Sequence, residues 1–106
     1  MRSYFWNPQT QIIRVLNGSR TRDLIHIERH GYSASHWNDT ALSILHDCLS
    51  CREAETWYQI FAHRVIRLRR QCFTWVITEE EIKTWLALQR QKEVNRQPRE
   101  HVAAMV

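Results

Sequence analysis

The sequence predicts a single α+β domain, a small antiparallel sheet packed against about three helices. Three observations lead there. The first 22 residues alternate β-branched and aromatic side chains with polar ones and are punctuated by Asn7-Pro8 and Asn17-Gly18. From Asn38 to Lys92 apolar residues recur every three or four positions, and two helix-capping patterns interrupt them. Only two Gly and two Pro occur in 106 residues, too few for a turn-rich sandwich or barrel.

Ser3-Tyr4-Phe5-Trp6 reads as a short aromatic strand, and Asn7-Pro8-Gln9-Thr10 as a turn. Gln11 to Leu16 forms the second strand, with Ile13 and Val15 on one face and Ile12, Arg14 and Leu16 on the other. Asn17-Gly18 closes it, since both residues tolerate positive φ. Asp23 to His30 reads as a third strand through Leu24, Ile25 and Ile27, or as one helical turn. A loop over His30 to His36 follows. Asn38 or Asp39 then caps a helix carrying Leu42, Ile44, Leu45, Cys48 and Leu49.

Ser50-Cys51-Arg52-Glu53 is a capping box. The helix it opens is expected to reach Arg70, with Ala54, Trp57, Tyr58, Phe61, Val65 and Leu68 as one apolar stripe. Gln71 to Ile77 is β-prone. Thr78-Glu79-Glu80-Glu81 caps a last helix with acids at its positive end, and Ile82, Trp85 and Leu86 line its inner face to about Lys92. The domain is therefore expected over residues 1–92, with a loose tail over 93–106.

Net charge is +4, and it is striped. Residues 1–22 hold four arginines and no acid, residues 23–61 six acids against two arginines, and residues 62–72 four arginines. Such a molecule can meet an anion on one side and a basic partner on another. No apolar run approaches the ~20 residues that cross a bilayer, and residues 1–10 lack the apolar core of a signal peptide. A cytoplasmic setting is expected, with Cys48, Cys51 and Cys72 as reduced thiols.

The residues that carry chemistry elsewhere form weak patterns here. His46, Cys48 and Cys51 have part of a zinc spacing, but no second clean ligand pair follows. A cysteine nucleophile needs a positioned base, and nothing in the spacing places His46 or His63 beside a thiol. His26 and His30 lack a third ligand. Phosphate loops, dinucleotide fingerprints and nucleophile elbows are absent from the sequence. Trp57, Trp75 and Trp85 fall on apolar stripes and are expected in the core. Trp6 and Trp37 are less periodic.

Two surfaces remain as binding candidates. The loop residues Tyr32, His36 and Trp37, with Arg20 and Arg22 nearby, offer exposed aromatic anchors and charge steering to a protein. The run His63 to Arg70 places Arg64, Arg67, Arg69 and Arg70 where they can hold phosphates or an acidic partner. Arginines near a helix end also complement the helix dipole, which is the plainer account of them.

In order and spacing the residues resemble a family of small bacterial and phage proteins known only as a domain of unknown function. The resemblance rests on Tyr4, His30-Gly31-Tyr32, Ala41 to Asp47, Trp57-Tyr58-Gln59-Ile60-Phe61, Trp75-Val76-Ile77-Thr78, Ile82 and Trp85-Leu86, and spans about residues 4–88. The family's glycine-rich loop before the first helix is replaced here by Ser33-Ala34-Ser35-His36-Trp37-Asn38-Asp39-Thr40. The resemblance implies a prokaryotic or mobile-element context and lends no activity.

The expected function is a binding protein without enzymatic activity, metal or cofactor. Its expected partner is a host protein complex, a nucleoprotein included. An inhibitor of a defence complex such as CRISPR–Cas is the concrete form. The alternative is weak nucleic-acid binding through the Arg64–Arg70 segment.

Overall fold

The computed structural model describes residues 1–7, 9, 12–27, 36–69 and 74–105, and for His36 and residues 94–105 the backbone alone. The elements are β1 (Arg2–Asn7), β2 (Ile12–Asn17), β3 (Arg20–Asp23), α1 (His36–Cys48), α2 (Cys51–Phe61), a π-turn (Ala62–Ile66), α3 (Arg67–Arg69), β4 (Trp75–Thr78) and α4 (Glu79–Met105). The sheet is antiparallel in the order β3-β2-β1-β4, so the first strand lies inside and the last completes one edge.

Strand alternation sorts the sheet faces. Tyr4, Ile13, Val15, Trp75 and Ile77 are buried in one cluster with the helices, while Phe5, Ile12 and Val76 on the opposite face are exposed. Trp6 stacks on its cross-strand neighbour Trp75, with ring centroids 6.3 Å apart. The Trp75 indole N–H has no hydrogen-bond partner among the described residues.

The third strand begins earlier than the hydrophobic pattern predicts. It is the polar segment Arg20–Asp23, and 24–27 lies outside the sheet. The cause is the turn. Gly18 takes φ +65°, a region open to glycine, and returns the chain after two residues so that Arg20 faces Asn17. Register is then fixed by the turn and not by Leu24, Ile25 and Ile27. Leu24 donates one further hydrogen bond to the Ile13 carbonyl at 2.8 Å. Ile27 N–H then donates to Ser43 Oγ on α1, also at 2.8 Å.

α1 starts at His36, so Asn38 and Asp39 lie in its first turn and not before it. Ala41, Leu42, Ile44 and Leu45 are fully buried. Both sites form the N-cap bond of the pattern, while the Glu53 carboxylate meets the Ser50 hydroxyl at 3.2 Å and the Glu81 carboxylate turns to Arg69. Ser50 Oγ accepts from Glu53 N–H at 3.2 Å, and Thr78 Oγ1 accepts from Glu81 N–H at 3.1 Å. α2 and α4 meet through aromatic edges: Trp85 lies 6.2 Å from Trp57 and 5.2 Å from Phe61. Arg90 pairs with Glu53 across the same contact. The α4 backbone runs past the expected end near Lys92 to Met105, through Pro98. Glu, Arg, Gln and Ala, all strong helix formers, make up seven of the thirteen residues from 93 to 105.

The stripe on α2 departs from its expected course. Ala54, Trp57, Tyr58 and Phe61 are buried, but Val65 is only half-buried and Leu68 is 66% exposed. Ala62 and Ile66 are buried instead. The π-turn is the reason. The Arg67 N–H bonds the Ala62 carbonyl, five residues back, so the helix phase advances by one residue beyond Phe61.

Candidate functional site

The π-turn lies where α2 passes α4, and two adjoining hollows open beside it. One, of about 520 Å³, is lined by Trp57, Ile60, His63 and Arg64 from α2 and the π-turn, and by Lys92 and Glu93 from α4. The other, of about 570 Å³, is lined by His63, Arg64, Arg67 and Leu68. His63 and Arg64 belong to both and form a ridge between them. The result is one groove with a cationic rim and exposed aliphatic ends, Ile60 and Leu68.

Its cations are largely uncommitted. Arg64 and Lys92 have no ion-pair partner among the described residues, and Arg67 contacts only the ring of His63, at 3.4 Å. Glu93 is the one acid among these lining residues, against Arg64, Arg67 and Lys92, and a net positive groove next to apolar surface suits an acidic partner that also offers side chains to bury.

The four arginines expected to act together are divided. Arg64 and Arg67 line the groove. Arg69 is occupied elsewhere: it donates to the Val76 carbonyl on β4 at 3.0 Å and pairs with Glu81 on α4 at 2.9 Å. It ties α3 to the edge strand, and it is unavailable to a ligand without breaking those contacts. Arg70 lies outside the described residues. Ile60, His63 and Lys92 were not among the expected binding residues. The only sequence signal for Ile60 is an apolar residue off the stripe, and Lys92 reaches the groove from a helix that starts 13 residues earlier, at Glu79.

The other expected surface is arranged differently. Trp37 belongs to α1, half-buried and packed against the core, and not to an exposed loop. Tyr32 lies outside the described residues, and of His36 only the helical backbone is described. Arg20 is exposed at the sheet edge. Arg22 is spent on Asp47, whose carboxylate it reaches at 2.6 Å.

Asp47 is a hub at the end of α1. It accepts from Arg22 and from the Tyr4 hydroxyl at 2.8 Å, while the Arg2 guanidinium donates to its backbone carbonyl at 2.7 Å. Two strands are thereby fastened to one helix end, where cations also complement the dipole. The neighbouring groups are held neutral. Burial first, then the Cys48 thiol and Asp47, push the Tyr4 hydroxyl well above its usual range. Burial, with Glu79 and Asp47 nearby, pushes the Cys48 thiol up to about 11, against the lowering effect of the Tyr4 hydrogen bond and Arg2. Glu79 moves the other way, lowered chiefly by the hydrogen bond from Lys83.

A neutral, packed thiol is a poor nucleophile. His46, the base nearest in sequence, turns to Glu55 at 3.4 Å. Among the described residues no three His, Cys, Asp or Glu side chains converge as a metal site. Iodoacetamide near neutral pH should therefore label the exposed Cys51 well before Cys48, as read by fragment mass spectrometry. The unfolded thiol ionises near pH ~8.5 while the folded one stays protonated. Stability should thus fall as pH rises from about 9 through about 11, and Cys48→Ser should flatten the early part of that loss. Equal labelling of the two cysteines, or a Cys48→Ser profile unchanged from the parent, would contradict this.

Among the described residues no helix is long and apolar enough to cross a membrane. A family model described as a family of unknown function, DUF6166, matches residues 10–88. No curated protein and no solved structure matches the chain.

Proposed function

Since the chain belongs to the DUF6166 family, whose function is unknown, we propose from its own surface that it is a non-enzymatic binding module. It takes an acidic partner protein in the groove between α2 and α4. The observation that carries this reading is the conjunction of Arg64, Arg67 and Lys92, which have no ion-pair partner among the described residues, with exposed Ile60 and Leu68.

The aliphatic ends favour a protein over nucleic acid. Single strands stack their bases on exposed aromatic rings, whereas the aromatic ring of this groove, Trp57, is 7% exposed and already packed on Trp85. Duplex DNA would use the arginines but has nothing to place on Ile60 and Leu68. A host defence complex as partner narrows accordingly to a protein subunit with an acidic, partly apolar face.

Fluorescence anisotropy with a labelled glutamate-rich helical peptide tests the reading. The full chain should bind it, and Arg64→Glu/Arg67→Glu should release it. Affinity should weaken as salt rises, since the contact is partly electrostatic. Tighter binding to duplex DNA than to the peptide in the same buffer, or a double variant that binds like the parent, would overturn it.

A further inference from the structure

The apolar stripe of α2 has a simple continuation that the fold does not take. An uninterrupted α-helix would carry it from Phe61 to Val65 and Leu68 and bury both. The bond from Arg67 N–H to the Ala62 carbonyl widens one turn instead, so Ile66 enters the core and Leu68 stands 66% exposed. The widened turn also presents His63 and Arg64 as the ridge that both hollows share. A large aliphatic residue removed from the core and set beside Arg64 and Lys92, which have no ion-pair partner among the described residues, has gained a place to meet something.

Ile60 and Leu68 are eight residues apart, and the π-turn between them takes up one extra residue, so they stand about two turns apart, ~11 Å along the axis. Residues seven apart on a partner helix are about 10.5 Å apart, a close fit to that span. Between the two aliphatics lies the cationic ridge, with Arg67 and Lys92 on its flanks. Charge and spacing together select one kind of occupant.

We propose that the π-turn builds the docking groove by turning Leu68 out of the core. Ile60 and Leu68 then seat two apolar side chains, two turns apart, of an acidic amphipathic helix in the partner. Carboxylates of that helix meet Arg64, Arg67 and Lys92. This mode is helix-in-groove recognition, with apolar anchors setting register and charge setting orientation. It rests on the acidic-partner reading above and adds the partner's secondary structure and its apolar spacing.

The test compares two synthetic helical peptides of equal charge. One carries Glu with Leu at two positions seven apart, and the other has Ser at both. The Leu peptide should bind the full chain at least tenfold tighter than the Ser peptide, and Leu68→Ser should abolish that difference. Leu68→Ser should also melt like the parent, because an exposed residue away from special contacts shifts stability little. Two results overturn the proposal alone: equal affinity for the two peptides, or early melting of Leu68→Ser, which would place Leu68 in the core. Failure of both peptides to bind overturns the acidic-partner reading, and this proposal falls with it.

Discussion

Phe61→Ala loses about 3–5 kcal/mol of folding stability. Phe61 is 1% exposed and ends α2, where the π-turn begins. Its ring edge meets Trp85 at 5.2 Å, and Trp85 also meets Trp57 at 6.2 Å. Removing the ring opens a cavity at the crossing of α2 and α4, and close-packed neighbours refill such space only in part. The lost edge-to-face contact adds about 0.5–1.5 kcal/mol to the transfer term. A domain of this size has ~5–15 kcal/mol in total, so the variant should unfold at much lower urea concentration. A loss under about 1 kcal/mol would mean that α4 does not close over α2 as described.

Arg64→Glu/Arg67→Glu should weaken the glutamate-rich peptide by a hundredfold or more, about 2.7 kcal/mol. Each substitution removes an attraction and adds a repulsion at the same place, and like charges across an interface are strongly disfavoured. Both side chains are exposed, so the fold should keep its melting temperature. Arg69→Ala serves as the contrast. It should cost stability through Val76 and Glu81 and leave affinity nearly unchanged. The two variants thus separate arginines that bind from an arginine that braces. Equal loss of affinity in both would assign the effect to total charge and not to the groove.

The parts of the fold legible in the sequence are those governed by neighbours in the chain. Ser50 with Glu53 and Thr78 with Glu81 announce helix starts because the cap and its amide lie within four residues. Ile13 and Val15 alternate with Arg14 because pleating is local. Arg20–Asp23 was obscured because it is a polar edge strand. Pairing placed it there, while the more apolar Leu24, Ile25 and Ile27 pointed one segment too late. The π-turn was hidden because Phe61, Val65 and Leu68 satisfy an α-helical period on their own. Only the surrounding core decides that Ile66 goes in and Leu68 stays out.

The site shows the same division. Arg64 and Arg67 stand out as a charge run, and they are in the groove. Their separation from Arg69 depends on Val76 and Glu81, seven and twelve residues further along, reached only after β4 folds back. Lys92 joins through the crossing of two helices, which no local pattern encodes. Trp37 looked like a loop aromatic because its neighbours are small and polar, but helix α1 begins one residue before it and turns it toward the core.

Titration of isotopically labelled protein with the acidic amphipathic peptide, followed by amide chemical shifts, tests the central claim most directly. The account predicts that the largest shifts fall on Ile60, His63, Arg64, Arg67, Leu68 and Lys92, the residues around the groove. Arg20, Arg22 and Trp37 should stay near their free positions. Shifts concentrated on those three, with the groove unmoved, would contradict the account and return the binding surface to the sheet edge and the start of α1.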